Sequence, residues 1–164
     1  MHIIATDDEQ SALNVLMGAI SEAVPLATVH GFRNPLEALE LMKETKCEIA
    51  FLDIQMREMS GIVLARKLKE IYPKVNIVFV TGYSQYANEA FALHASGYVY
   101  KPVTPDKILI EMENLRNPVK WKDTGIFVNT FGNFELIVNG EEVSFGRAKS
   151  KEMLAYLVDK KGKS

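Results

Sequence analysis

The chain has 164 residues, 19 basic and 21 acidic side chains, a formal net charge of −2 and 48% hydrophobic residues, enough for one full core of roughly 100 to 150 residues and a smaller piece beside it. No apolar run reaches the roughly 20 residues a membrane-spanning helix needs. The start runs into a strand pattern without a basic flank or small-residue cleavage site, which argues against a secretory leader. A single cysteine, Cys47, excludes an internal disulfide and, between Lys46 and Glu48, suits a structural thiol in a reducing cytoplasm. Met1 to Leu115 carries 10 Lys and Arg against 15 Asp and Glu, whereas the residues from Arg116 on carry 9 against 6. An acidic front joined to a basic tail is compatible with cation binding in the first and nucleic acid near the second.

In chain order, short apolar, β-branched runs at His2 to Ala5, Ala27 to Phe32, Ile49 to Leu52, Asn76 to Val80 and Tyr98 to Tyr100 predict buried strands. Between them lie stretches of helical period. Ala12, Leu13, Leu16, Ile20 and Val24 mark the first helix, and Leu36, Leu39, Glu40 and Lys43 the two faces of the second. Asn34, Pro35 and Glu37 supply that second helix with an N-cap, a first-turn proline and an acid in the first turn. The third helix should begin near Gly61 and end before Pro73. Strands alternating with helices predict a parallel sheet built of five βα units.

Beyond Leu115, residues 116–125 read as a polar linker. Ile126 to Phe131, Phe134 to Val138 and Glu142 to Phe145 then alternate as short strands, joined by Gly132-Asn133 and by the hairpin signal Asn139-Gly140. Met153, Leu154, Leu157 and Val158 put a helix over Lys149 to Lys161, with Gly162 as its cap.

In an open parallel sheet the ligand site lies beyond the carboxyl ends of the strands. The residues at those positions are Asp7 and Asp8 after the first strand, Asp53 after the third, Thr81 after the fourth, and Lys101 with Pro102 after the fifth. Taken singly, each has a bland explanation as a turn, a cap or a strand end. Together they describe an acidic rim that would repel itself without a hard divalent cation, and oxygen ligands of this kind suit Mg²⁺. With the cation in place a carboxylate can attack phosphorus. Asp53 is positioned as nucleophile, and the Thr81 hydroxyl and Lys101 ammonium as contacts for the phosphoryl oxygens. Phosphorylation would change the local charge by one to two units and draw Thr81 inward. A flavodoxin-like redox protein is disfavoured because no phosphate-cradling glycine loop follows the first strand. A haloacid-dehalogenase-type phosphatase is disfavoured because Glu9 stands where a second Asp would be needed. His94 reads as a packing or interface residue, His2 and His30 lack ligand spacing, Tyr83 and Tyr86 border the fourth helix, and Met42, Met56 and Met59 read as core or loop fillers.

The segments IIATDDE, IAFLDIQMREMSG, VFVTGYS and ASGYVYKPV resemble response-regulator receiver domains over Met1 to Leu115. The resemblance implies a flavodoxin-like (βα)5 fold. It also implies phosphorylation of Asp53 by a sensor histidine kinase and Mg²⁺ held by Asp7, Asp8, Asp53 and the backbone carbonyl of Gln55. Further implications are a cis peptide before Pro102, and Tyr98 as the aromatic that follows Thr81 in a switch. Arg57 departs from the family, which usually has proline there, and its long side chain is placed to cover part of the pocket. The stretch from Gly125 to Ser164 resembles the opening sheet and first helix of an OmpR-like winged-helix domain of the SARP type. Residues 126–164 are thus expected to be an incomplete output domain, with DNA binding only in a longer protein. Arg147, Lys149, Lys151, Lys160 and Lys161 read first as a solvated helix face and second as phosphate contacts. The expectation is a cytoplasmic two-component response regulator, homodimeric through its receiver, controlling transcription as a phosphoacceptor and not a turnover enzyme. The alternative is a receiver that serves only as a phosphorylation-dependent interaction module.

Overall fold

The structure, a computed structural model, describes residues 1–119, 126–129, 135–138, 141–143, 149 and 152–153. Two compact units are present, Met1–Val119 and Lys120–Ser164.

In the first unit β1 (His2–Thr6), β2 (Thr28–Phe32), β3 (Ile49–Asp53), β4 (Asn76–Thr81) and β5 (Gly97–Tyr100) form one sheet in the order β2-β1-β3-β4-β5. Every adjacent pair is parallel. The connecting helices are α1 (Gln10–Ala23), α2 (Pro35–Glu44), α3 (Gly61–Ile71), α4 (Ala87–Ala92) and α5 (Pro105–Glu113). This is the flavodoxin-like receiver architecture. The central strands β3 and β4 are buried at every position, as strands covered by helices on both faces must be. Ile4, Ala50, Leu52, Ile77 and Phe79 project from alternate strand positions into one core with Ala38, Leu39 and Met42 of α2, Leu64, Ala65 and Leu68 of α3, and Ala90 of α4. On the other face α1 packs against α5, with Leu13, Leu16, Ile20, Ile108 and Met112 buried.

The helix starts follow their local chemistry. Asn34 caps α2 by accepting from the Leu36 N–H at 2.8 Å, with Pro35 in the first turn. Ser60 caps α3 by accepting from the Val63 N–H at 3.4 Å. α3 ends at Ile71, ahead of Pro73, because proline disfavours helical geometry in the residue before it. Three strands, β1, β3 and β4, run one residue further at their carboxyl ends than the apolar pattern suggests, taking in Thr6, Asp53 and Thr81. Polar functional residues there break the apolar run but not the ladder.

The first unit also extends beyond Leu115. Asn76, wholly buried at the start of β4, uses its side-chain amide to grip Asn117. Its Nδ2 donates to the Asn117 carbonyl at 2.8 Å, and its Oδ1 accepts from the Asn117 N–H at 2.9 Å and from the Ser96 hydroxyl at 2.7 Å. Residues 116–119, read from the sequence as the beginning of a linker, are thereby part of this unit.

In the second unit β6 (Ile126–Asn129), β7 (Glu135–Val138) and β8 (Glu141–Glu142) pair antiparallel in that order. Lys149, Glu152 and Met153 are helical. The turns at Gly132-Asn133 and Asn139-Gly140, the strand ends expected at Phe131, Phe134 and Phe145, and Arg147, Lys151, Lys160 and Lys161 lie outside the described residues.

Candidate functional site

The parallel register assembles the site at the carboxyl edge of the sheet. Thr6 pairs with Leu52, Asp53 with Val80, and Thr81 with Tyr100, so Asp7, Asp53, Thr81 and Lys101 emerge from neighbouring strands at nearly one level. The register brings together what the linear order scatters.

Asp7 and Asp53 are buried at 1% and 5% relative exposure, and Thr81 is fully buried. Each of Asp7, Asp8 and Asp53 offers a carboxylate oxygen within 4.8 Å of the others. Lys101 Nζ donates to Asp7 Oδ2 at 2.7 Å and lies 3.3 Å from Asp53 Oδ1. Burial, reinforced by the Asp7 charge, raises the Asp53 carboxyl above the usual aspartate range against the opposing pull of Lys101. Burial works against the charge on Lys101, but the hydrogen bond it donates to Asp7 and the charges of both aspartates outweigh it, and its ammonium is held above the usual lysine range. Asp7 is oriented further by accepting the Glu9 N–H at Oδ1, 3.0 Å away. At the mouth, Asp8 faces Arg57, whose Nε is 3.4 Å from Oδ2, and its backbone carbonyl accepts from Arg33 Nε at 3.2 Å.

The cluster offers three carboxylates, with the Lys101 ammonium between two of them and the Arg57 guanidinium at the third. That donor set fits a hard divalent cation such as Mg²⁺.

Thr81 Oγ1 accepts the Tyr83 N–H at 3.4 Å. Tyr98 packs at the edge of the core near Phe79 and donates its hydroxyl to the Tyr83 carbonyl at 2.5 Å. One short loop therefore touches both Thr81 and Tyr98. The Lys101–Pro102 peptide is cis. Gln55 follows Asp53 in the loop to α3, and its side-chain amide donates to the Tyr86 hydroxyl at 3.0 Å. His94 is exposed at the end of α4 with φ 53°, away from any packing role in the core.

Sequence reasoning missed Arg33, because a residue reaching a backbone carbonyl across 25 positions leaves no spacing signal. It also missed Lys69 of α3, whose Nζ donates to the carbonyls of Leu93 and His94 at 2.7 and 2.9 Å and closes the end of α4. A basic residue late in a helix was the only hint.

Residues 3–113 match the family model described as response regulator receiver domain. The chain is 36% identical over 108 residues to the sensory transduction protein LytT of Enterococcus faecalis, covering 66% of this chain and 45% of that protein. It is 30% identical over 115 residues to the transcriptional regulatory protein YpdB of Escherichia coli, covering 70% and 47%. The chain thus spans about half the length of these relatives. Among solved structures, the response regulatory domain of MrkE from Klebsiella pneumoniae superimposes with a TM-score of 0.62 at 30% identity, covering 70% of this chain and 94% of that one. DrrB of Thermotoga maritima, described as an OmpR/PhoB homologue, superimposes over 97% of this chain and 72% of its own with a TM-score of 0.59 at 22% identity. No helix among the described residues is long and apolar enough to cross a membrane. The chain belongs to the response regulator receiver family of two-component signalling.

Proposed function

We propose that the chain is the receiver of a two-component response regulator that takes a phosphoryl group on Asp53 from a sensor histidine kinase. The reading rests chiefly on one arrangement: a nearly buried Asp53 at the end of β3, with Lys101 bridging it to Asp7. Asp53 Oδ attacks the phosphorus of the kinase phosphohistidine. An O–P bond forms as the P–N bond breaks, the departing imidazole keeps the bonding pair and takes up a proton, and the product is an acyl phosphate. Asp7, Asp8, Asp53 and the backbone carbonyl of Gln55 would hold Mg²⁺. When bound, the cation supplies charge that neutralises the phosphoryl oxygens. Lys101 turns from the carboxylates toward the phosphoryl group, which adds a negative charge beside it. The Thr81 hydroxyl moves to the same group, giving up the Tyr83 N–H. Because Tyr98 holds the carbonyl of that residue, the loop and the aromatic ring move together. The chain acts in this reading as a phosphoacceptor with Mg²⁺-dependent self-phosphorylation and dephosphorylation, not as a turnover enzyme.

Transcription control is the output we assign to the full protein, in the cytoplasm, through an OmpR-like winged-helix domain begun by the second unit. The antiparallel sheet of β6, β7 and β8, the name of the relative YpdB and the extended superposition on DrrB support it. Homodimerisation through the receiver is supported by Phe91 of α4, Tyr100 of β5 and Ile110 of α5, which are 84%, 46% and 56% exposed. The same exposed residues favour the second reading, a receiver whose phosphorylation governs binding to a protein partner without DNA.

Incubation with acetyl phosphate and Mg²⁺, followed by intact-mass measurement, tests the assignment. The wild-type chain gains one phosphoryl group, whereas Asp53→Asn and EDTA-treated wild type gain none. Equal labelling of wild type and Asp53→Asn contradicts it.

A further inference from the structure

Of the three clustered carboxylates, Asp7 and Asp53 share Lys101, at 2.7 and 3.3 Å, and Asp8 is engaged from outside. Arg57 Nε stands 3.4 Å from Asp8 Oδ2, on a side chain that is 92% exposed, while Asp8 is 25% exposed. Arg33 donates to the backbone carbonyl of the same residue at 3.2 Å. Arg57 and Asp8 both line two cavities. One, of about 560 Å³, runs past Gln55, Arg66, Tyr86 and Glu89, and the other, of about 210 Å³, past Arg33 and Glu58. The Arg57 side chain is thus solvated and held by charge at the acid.

We propose that Arg57 is a built-in competitor for the divalent cation at Asp8, lowering the affinity of the acidic pocket for Mg²⁺ and making that affinity depend on salt. The inference rests on the reading of the pocket as a Mg²⁺ site. A carboxylate oxygen ligates a hard cation with the same lone pairs it offers a guanidinium, so Arg57 beside Oδ2 competes with the ion for that oxygen. A fixed positive charge at the mouth also lowers the net negative charge that attracts the ion. Because Arg57 is exposed and Asp8 partly so, the competition has the strength of a surface ion pair, about two- to fivefold in binding. Added salt screens it, with a Debye length near 10 Å at 0.1 M and about 3 Å at 1 M.

The test is calorimetric titration of the full chain with MgCl₂, without phosphodonor, at low and high NaCl, for wild type, Arg57→Ala, Arg57→Lys and Asp8→Asn. The expected result is that Arg57→Ala binds Mg²⁺ about two- to fivefold more tightly than wild type at low salt. Arg57→Lys should stay close to wild type, the advantage of Arg57→Ala should shrink at high salt, and Asp8→Asn should bind weakly. The proposal is overturned if Arg57→Ala binds no more tightly than wild type, if its advantage is the same at both salt concentrations, or if Asp8→Asn binds as wild type does. Absence of Mg²⁺ binding by wild type itself would instead remove the metal reading of the pocket, and this proposal with it.

Discussion

A side chain at residue 61 has nowhere to go. A Cβ there would clash with the backbone carbonyl oxygen of Asp53, because the first residue of α3 lies against the end of β3 and donates its N–H to the Ile54 carbonyl at 2.9 Å. Gly61→Ala must push α3 away from Asp53, the proposed phosphoacceptor. We expect a loss of about 1–3 kcal/mol in stability, read by chemical denaturation, together with weaker Mg²⁺ binding; a variant within 0.5 kcal/mol of wild type, roughly the scatter of neutral surface changes, would contradict this packing. Cys47 shows a different residue-level effect. It is wholly buried and its Sγ donates weakly to the Thr45 carbonyl at 3.4 Å, and burial, with Glu48 adding to it, raises the thiol from 9.0 to about 11. The native state therefore holds a proton that the unfolded chain releases at lower pH. The resulting stability is present below pH 9 and is lost as pH rises toward 11, by about 3 kcal/mol in total. Denaturation midpoints of wild type and Cys47→Ala across that range provide the check, the variant lacking this part of the alkaline decline. The placement of Asp53, Thr81 and Lys101 was legible because each lies at the carboxyl end of a strand or just past it. Arg33 was not, because its partner is a main-chain carbonyl that no residue type announces.

At the scale of elements, the sheet was legible from apolar runs separated by helical periods, α1 from its spacing, α2 from its spacing and cap, and the end of α3 from Pro73. The short α4 was less so. It is preceded by a 3-10 turn at Ser84–Tyr86 and spans only Ala87–Ala92, too brief to show a period, and it is closed by Lys69 from α3. α5 and β5 are joined by polar contacts that hydrophobic pattern cannot reveal. Lys107 donates to the Tyr100 and Pro102 carbonyls at 2.8 and 2.7 Å, and the Glu111 carboxylate takes the Tyr98 N–H. That carboxylate fills the space a side chain at Gly97 would need. Asn76 joins β4 to Ser96, just before β5, and to the segment after α5. Inside an apolar run it reads as an interruption, yet its amide is satisfied on every side. Asn76→Ala leaves the partly buried Ser96 hydroxyl and Asn117 main-chain groups without this partner, at about 1–3 kcal/mol for such a loss. The expected outcome is a lower melting temperature and faster proteolysis between residues 116 and 125 than in wild type; an unchanged cleavage rate would mean that Asn76 does not hold this segment.

For the whole molecule, the sequence pattern separates a parallel α/β unit from a small antiparallel one, and the structure describes both. The boundary falls at Val119, not Leu115, because a contact 41 residues apart, Asn76 to Asn117, has no local signature. The arrangement of the first unit follows from its topology. Parallel strands deliver all their carboxyl ends to one edge, so residues separated by 94 positions, Asp7 and Lys101, meet at 2.7 Å. That convergence is what makes Asp53 the phosphoacceptor in this account. It is tested most directly by mapping the modification: phosphorylate the chain with acetyl phosphate and Mg²⁺, reduce the acyl phosphate with borohydride, and sequence the peptides by mass spectrometry. The account predicts homoserine at residue 53 alone; homoserine at residue 7 or 8, or at no aspartate, would contradict it.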